Sequence, residues 1–193
     1  AATPLYGTQL PKHLLAILPD QYRMTSFWGM GIMAGPDLGH FLNAMKRPAS
    51  LLYATKRFAI HLWDKAVHRR NMQMVNGLAL VARLLQAADE KGVDIRVNTA
   101  VESLIQDENG KVCGAYLRTP EGRIRVHATK GVVLATGGYP ADSGRRKNFP
   151  RTPTGQEHWT LAVPEADGAG LTLAEQAGGY LDARGKSPAA WCP

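Results

Sequence analysis

Residues 1–35 show no steady alternation of apolar and polar positions. Pro4, Pro11 and Pro19 are interspersed with Gly7, Gly29, Gly31 and Gly35, which predicts irregular structure with one short helix. From Pro36 the spacing becomes helical. Leu38, Phe41, Leu42 and Met45 fall at i, i+3, i+4 and i+7, one apolar stripe on a helix over 36–46. Pro48 interrupts it. A second stripe, Leu52, Thr55, Ala59, Leu62 and Ala66, predicts a helix over 49–70 that buries these residues and turns its basic side chains outward. A third helix is expected over 77–91, with Leu78, Val81, Leu85 and Ala88 inward. Asn76 is placed to cap it, Lys91 suits the negative end of its dipole, and Gly92 can close it in a left-handed conformation.

The period then changes to two. Val93, Ile95 and Val97 alternate with Asp94, Arg96 and Asn98, and a second strand is expected over 100–106. Asn109-Gly110 is a strong hairpin signal, because both residue types tolerate positive φ. Strands over Val112–Arg118 and Arg123–Ala128, joined at Pro120-Glu121-Gly122, complete a β-meander. The continuous apolar run Gly131-Val132-Val133-Leu134-Ala135 predicts a strand covered on both faces, leading straight into Thr136-Gly137-Gly138. A Pro- and Arg-rich loop over 139–165, a helix over 168–177 and a short strand from Tyr180 follow. The order of elements predicts an α/β fold.

Composition adds little to this picture and charge adds something. The chain has 193 residues, 45% of them hydrophobic, with a net charge of +7. Residues 1–75 hold nine basic side chains against Asp20, Asp37 and Asp64, a net +6. A basic front half could attract an anionic substrate or nucleic acid, or could be the solvated faces of helices. A non-enzymatic module for nucleic acid or another polyanion is therefore the alternative function, although the basic residues come singly or in pairs and no nucleic-acid motif accompanies them. Cys113 and Cys192 lack nearby Cys or His partners, so neither a disulfide framework nor a metal site is expected, and a cytoplasmic location is. No apolar run reaches the roughly 18 residues of a membrane span. The first and last residues do not resemble natural termini, and a fragment is expected.

The chemistry-bearing unit is the buried strand that stops at a glycine pair. Without a Cβ, main chain can approach a ligand closely, and in doubly wound sheets ligands sit at the carboxyl ends of strands. A nucleotide is the natural occupant; a tight strand exit is the other reading. Gly29-Met30-Gly31-Ile32-Met33-Ala34-Gly35 superficially suggests a dinucleotide fingerprint. It follows no β-branched strand, runs into Pro36 and has no acidic residue about 20 positions on. It reads better as a glycine-rich loop near a substrate.

Three segments carry a resemblance. Asn76-Gly77-Leu78-Ala79-Leu80-Val81-Ala82-Arg83-Leu84-Leu85, Lys130-Gly131-Val132-Val133-Leu134-Ala135-Thr136-Gly137-Gly138-Tyr139, and Asp167 through Gly179 stand in the order and at the separations found in flavoproteins of the fumarate reductase/succinate dehydrogenase type. The helical part before them looks closest to the 3-ketosteroid dehydrogenase-like branch. The resemblance implies a partial FAD-binding Rossmann-like domain over 76–193, carrying the β-meander, and part of a helical cap, or substrate, domain over 1–75. It implies FAD as cofactor, with hydride passing between a substrate carbon–carbon bond and flavin, on a steroid-like or dicarboxylate small molecule. Val101 matches a backbone contact to adenine. Ala135, Thr136, Gly137 and Gly138 match residues along the adenosine and pyrophosphate, and Asp167 matches an acidic contact to the flavin nucleotide. Asp167 could equally serve as a helix cap. The family's N-terminal G-x-G-x-x-G is not in this sequence, so the chain alone is expected to hold FAD weakly and to be inactive.

No catalytic residue can be matched. Tyr6, Tyr22 and Arg23 are candidates by location only. His40, His61, His68 and His158 could be acid–base groups but suit structural roles. Trp28, Trp63, Trp159 and Trp191 read as core or interface packing, and Arg145-Arg146-Lys147 as a solvated loop.

Overall fold

The computed structural model describes residues 3–21, 26–149, 153–160, 162–182 and 184. Tyr22, Arg23 and Trp191 lie outside them. The chain divides into two compact units, Ala1–Val97 and Asn98–Pro193.

The first unit is helical. After β1 (Leu5–Tyr6), a 3-10 turn at Gly7–Gln9 leads to α1 (Lys12–Ile17). A small hairpin follows, β2 (Ser26–Phe27) and β3 (Met30–Gly31), then α2 (Pro36–Leu42), α3 (Pro48–His68), β4 (Gln73–Met74) and α4 (Asn76–Glu90). β1 pairs antiparallel with β4, Leu5 opposite Met74. This brings the N-terminal segment beside α4, and Leu5, Leu10, Leu18, Met74, Ala79 and Ala82 form one buried cluster. The small alanines let α4 approach closely. Each large aliphatic side chain buried there contributes roughly 1.5–3 kcal/mol. Leu78 and Leu85 pack at its edge as expected, but Val81 is 50% exposed. The buried stripe runs through Ala79 and Ala82, about one position round from the predicted one, because small residues fit where backbones meet.

α3 corrects its prediction more sharply. Leu52, Thr55, Ala59, Leu62 and Ala66 are all exposed, and the buried positions are Ser50, Arg57, His61 and Asp64. The helix faces inward with its polar side because each of those groups finds a partner. Asp37 accepts from the Met33 amide and the Tyr53 hydroxyl, at 2.8 and 2.9 Å, and lies 3.6 Å from Arg57. Arg57 donates to the Gly31 carbonyl, and Asp64 accepts from the Met72 amide. Satisfied polar groups can be buried where unpaired ones cannot. Asn76 does not cap α4: it is the first helical residue, at φ 52°, and its amide donates to the Ile32 carbonyl. Gly92 takes the left-handed conformation expected of it.

The second unit contains the meander, β5 (Ala100–Gln106), β6 (Val112–Thr119) and β7 (Gly122–His127), all antiparallel in the order β5-β6-β7. Register shifts interrupt β5 between Val101 and Ser103 and between Ile105 and Gln106. At the first turn only Gly110 uses positive φ. Asp107 supplies the rest, its carboxylate accepting from the Asn109 and Lys111 amides. Two short helices, α5 (Ser143–Lys147) and α6 (Ala169–Gln176), complete the unit.

Three expected strands are not formed among the described residues. Residues 93–97 are irregular, with Arg96 bound to Asp94 and Asn98 left-handed, and no neighbouring strand offers a ladder. Tyr180 begins no strand. The run 131–135 is not a covered strand: it pairs with nothing, and Val133 is 89% exposed. An apolar run expresses a demand for burial, but a strand also needs neighbours to take its amides and carbonyls. Every strand pair described is antiparallel, so the parallel sheet expected of a Rossmann-like domain is not formed by these residues.

Candidate functional site

Of the sequence-predicted site residues, Ala135 through Gly138 and Asp167 lie in the second unit where the segment after β7 meets the start of α6, whereas Val101 lies on β5. The Ala141 amide donates to the Ala166 carbonyl at 3.0 Å, joining the two stretches of chain. Thr136 packs so tightly on α6 that a Cβ on Gly170 would overlap its hydroxyl. A Cβ on Gly168 would lie 3.0 Å from that of Tyr139. Gly168 is left-handed at φ 83°, and it, not Asp167, is the N-cap residue of α6. Asp167 stands one position earlier, exposed, with one carboxylate oxygen accepting from the Ala169 amide at 3.0 Å.

Gly137 has a φ of 83°, a conformation that favours glycine, and nothing lies within 4 Å of the place its Cβ would occupy. Gly138 meets only the Pro140 ring, at 3.7 Å. The main chain of Ala135 through Gly138 is therefore open, bordered by a helix start whose first amides carry partial positive charge. A phosphate-bearing nucleotide fits such a surface, since bare amides and a helix N-terminus both favour anions.

Arg145 fixes this geometry. Asp142 caps α5 by accepting from the Arg145 amide. The guanidinium reaches α6, donating to both Glu175 oxygens at 2.9 and 2.8 Å and to Thr172 at 3.0 Å. These bonds hold the Glu175 carboxyl below the usual carboxylate range. Arg146 is buried, with a bond to Thr154. The predicted solvated loop over 145–147 is thus a helix, with Arg145 anchored by its charge partners Asp142 and Glu175 and Arg146 buried against Thr154.

Val101 sits on β5 opposite Leu117, where the register first shifts, and is 39% exposed. Bulges of this kind often lie near functional sites. Beside it Glu102 is bound by Arg118, with Arg123 close, and is held below its ordinary pKa.

The remaining candidates scatter. Tyr6 is 41% exposed on β1. His40 contacts Ser50 and stacks on Tyr53, His61 is buried between the Asn71 side chain and the Trp28 carbonyl, and His68 is exposed. His158 is half-buried. Trp28, Trp63 and Trp159 are 73%, 68% and 89% exposed, so of the two roles expected of them, core or interface packing, the core one is not taken. Sequence reasoning missed the Asp37–Tyr53–Arg57 network, in which burial and the bond to Asp37 raise the Tyr53 pKa. Only the scarcity of acids among the many bases on α2 and α3, Asp37 and Asp64 alone, hinted at it. The basic front half is not one charged face: Arg57 is buried, and Arg70 donates to the Leu15, Leu18 and Pro19 carbonyls. Among the described residues no cluster of metal-ligating side chains occurs, and no helix is long and apolar enough to cross a membrane.

Comparison with known proteins bears on the whole chain. Residues 3–193 match the family described as FAD binding domain. A 4-oxocyclohex-2-ene-1-carboxylate 5-dehydrogenase of Sinomonas cyclohexanicum is 33% identical over 88% of this chain and 29% of its own. A 3-oxosteroid 1-dehydrogenase of Mycobacterium tuberculosis is 34% identical over 73% and 25%. The crystal structure of a 3-ketosteroid delta1-dehydrogenase from Sterolibacterium denitrificans superposes with a TM-score of 0.69 at 23% identity, covering 91% of this chain and 32% of that one, and so shares its fold. The chain spans between a quarter and a third of the length of these proteins.

Proposed function

The chain belongs to the FAD binding domain family, and from that premise we propose that it is part of a longer FAD-dependent oxidoreductase that moves a hydride between a substrate carbon–carbon bond and flavin. The observation that carries this reading is the open main chain of Ala135–Gly138 set against the first turn of α6. FAD, when bound, accepts or returns the hydride; the protein's part is position and electrostatics. Ala135, Thr136, Gly137 and Gly138 lie along the adenosine and pyrophosphate. Asp167 contacts the nucleotide through the carboxylate oxygen not spent on Ala169. The Val101 backbone lies by the adenine. Thr136, wedged on Gly170, and Arg145, bridging α5 to α6, hold these groups in place before the cofactor arrives.

Residues 76–193 belong to the cofactor-binding part, with a Rossmann-like sheet completed by strands outside this sequence, and 1–75 to the cap over the substrate. The Val132–Ala135 run supports this, since it is a strand's worth of apolar residues, Val133 and Ala135 exposed, with no strand partner among the described residues. The substrate is a small cyclic ketone of the kinds named in the relatives, steroid-like or carboxylate-bearing, or a dicarboxylate, and the protein works in the cytoplasm. Equilibrium dialysis with FAD tests the cofactor site. Weak binding is expected, reduced about tenfold or more by Gly137→Val, which forces a branched side chain into a left-handed conformation on the open face. Equal affinity of the variant would overturn the site. Tight stoichiometric binding by the chain would overturn the view that other contacts lie outside it.

A further inference from the structure

A cavity of about 430 Å3 in the first unit is lined by Trp28, Gly29, Lys65, Arg69, Arg70 and Asp20, among others. Its size is that of a small-ligand site. Two of its residues are ones the fold alone does not ask for. Trp28 and Gly29 are the two-residue turn between β2 and β3, with φ of 52° and 85°, a geometry in which asparagine followed by glycine is favoured. A tryptophan there is strained and exposed, and serves neither turn nor core. Arg69 ends α3 at φ 58°, a left-handed position that glycine usually fills. Strained residues that persist side by side point to function more often than to chance.

The surroundings say what the function is. The Trp28 indole stacks on Phe27 and meets Phe58 at 5.9 Å, and its carbonyl is held by His61 and Lys65, so the ring is fixed as a flat apolar wall. Three cations face one carboxylate. Asp20 pairs with Arg70 at 3.5 Å, and Arg70 is spent on backbone carbonyls. Among the described residues Lys65 is bound only to the Trp28 carbonyl and the Arg69 guanidinium has no partner. Two positive charges beside an aromatic wall thus have no carboxylate partner among the described residues. We propose that this cavity binds a small ring compound bearing a carboxylate, its ring against Trp28 and its carboxylate between Lys65 and Arg69. The site uses none of the residues assigned to FAD, so it stands or falls apart from the cofactor reading.

The test is an amide-resolved NMR titration of the full chain without flavin, following Gly29 and Arg69, with cyclohexanecarboxylate, cyclohexanol and inorganic phosphate as probes. Cyclohexanecarboxylate is expected to give saturable shifts, with cyclohexanol and phosphate each about tenfold weaker or worse, since one lacks the charge and the other the ring. Arg69→Gly and Trp28→Asn suit their backbone conformations, so the melting temperature should hold or rise while affinity falls about tenfold. Lys65→Gln, on an exposed side chain, provides the same readout without touching a strained position. Absence of saturable shifts with the carboxylate overturns the proposal, as does affinity unchanged in the variants, or phosphate binding as well as the ring compound.

Discussion

A single methyl group decides whether the two site segments can meet. Alanine is a better helix former than glycine by about 0.5–1 kcal/mol, yet at position 170 its Cβ would overlap the Thr136 hydroxyl. Gly170→Ala should therefore destabilise the protein by about 1–3 kcal/mol in urea unfolding, as overpacking does. Adding Thr136→Ala should recover most of the loss, and failure of the pair to couple would show that the segments do not touch. Glu102 makes a second prediction. Its carboxyl is held below the usual carboxylate range, mainly by the bond from Arg118. A depressed acid contributes stability above its unfolded pKa and loses it as the pH falls through the folded one. Stability should decline more steeply in the parent than in Glu102→Gln as the pH falls through and below the usual glutamate range, a small difference since the partners Arg118 and Arg123 are largely exposed. Identical acid limbs would show the pair to be energetically silent. At this scale the sequence singled out two segments, around Thr136-Gly137 and Asp167, that the fold brings into contact. Gly170 as the contact point was not legible, because close approach is a property of two backbones.

Elements were legible by period and not always by face. The meander was readable because alternation, Asn109-Gly110 and Pro120-Glu121-Gly122 all agreed on the same turns. α3 was readable as a helix, but its apolar stripe pointed the wrong way, since pattern cannot reveal that Asp37, Tyr53 and Arg57 satisfy one another inside. The inversion is testable by urea unfolding. Leu52→Gln and Leu62→Gln, on the exposed face, should change stability by no more than about 0.5 kcal/mol. Arg57→Leu, which leaves Asp37 without its charge partner, should cost about 3–5 kcal/mol. The reverse ranking would mean that α3 buries the face its sequence first suggests.

Over the whole molecule, the family was legible because three motifs stood in one order across the chain, whereas the central sheet was not. Val132–Ala135 has the composition of a covered strand and the exposure of a loop. Fold class can be argued from the order of elements, but ladders require partners, and those described here are antiparallel throughout. What the second unit does build is an open stretch of main chain at a helix start, and the account rests on it. An amide-resolved NMR titration of the chain with FAD tests it most directly. The account predicts shifts concentrated at Ala135–Gly138 and Asp167–Gly170 even if binding is weak. Those amides staying fixed up to millimolar FAD, or moving no more than the rest of the chain, would contradict it.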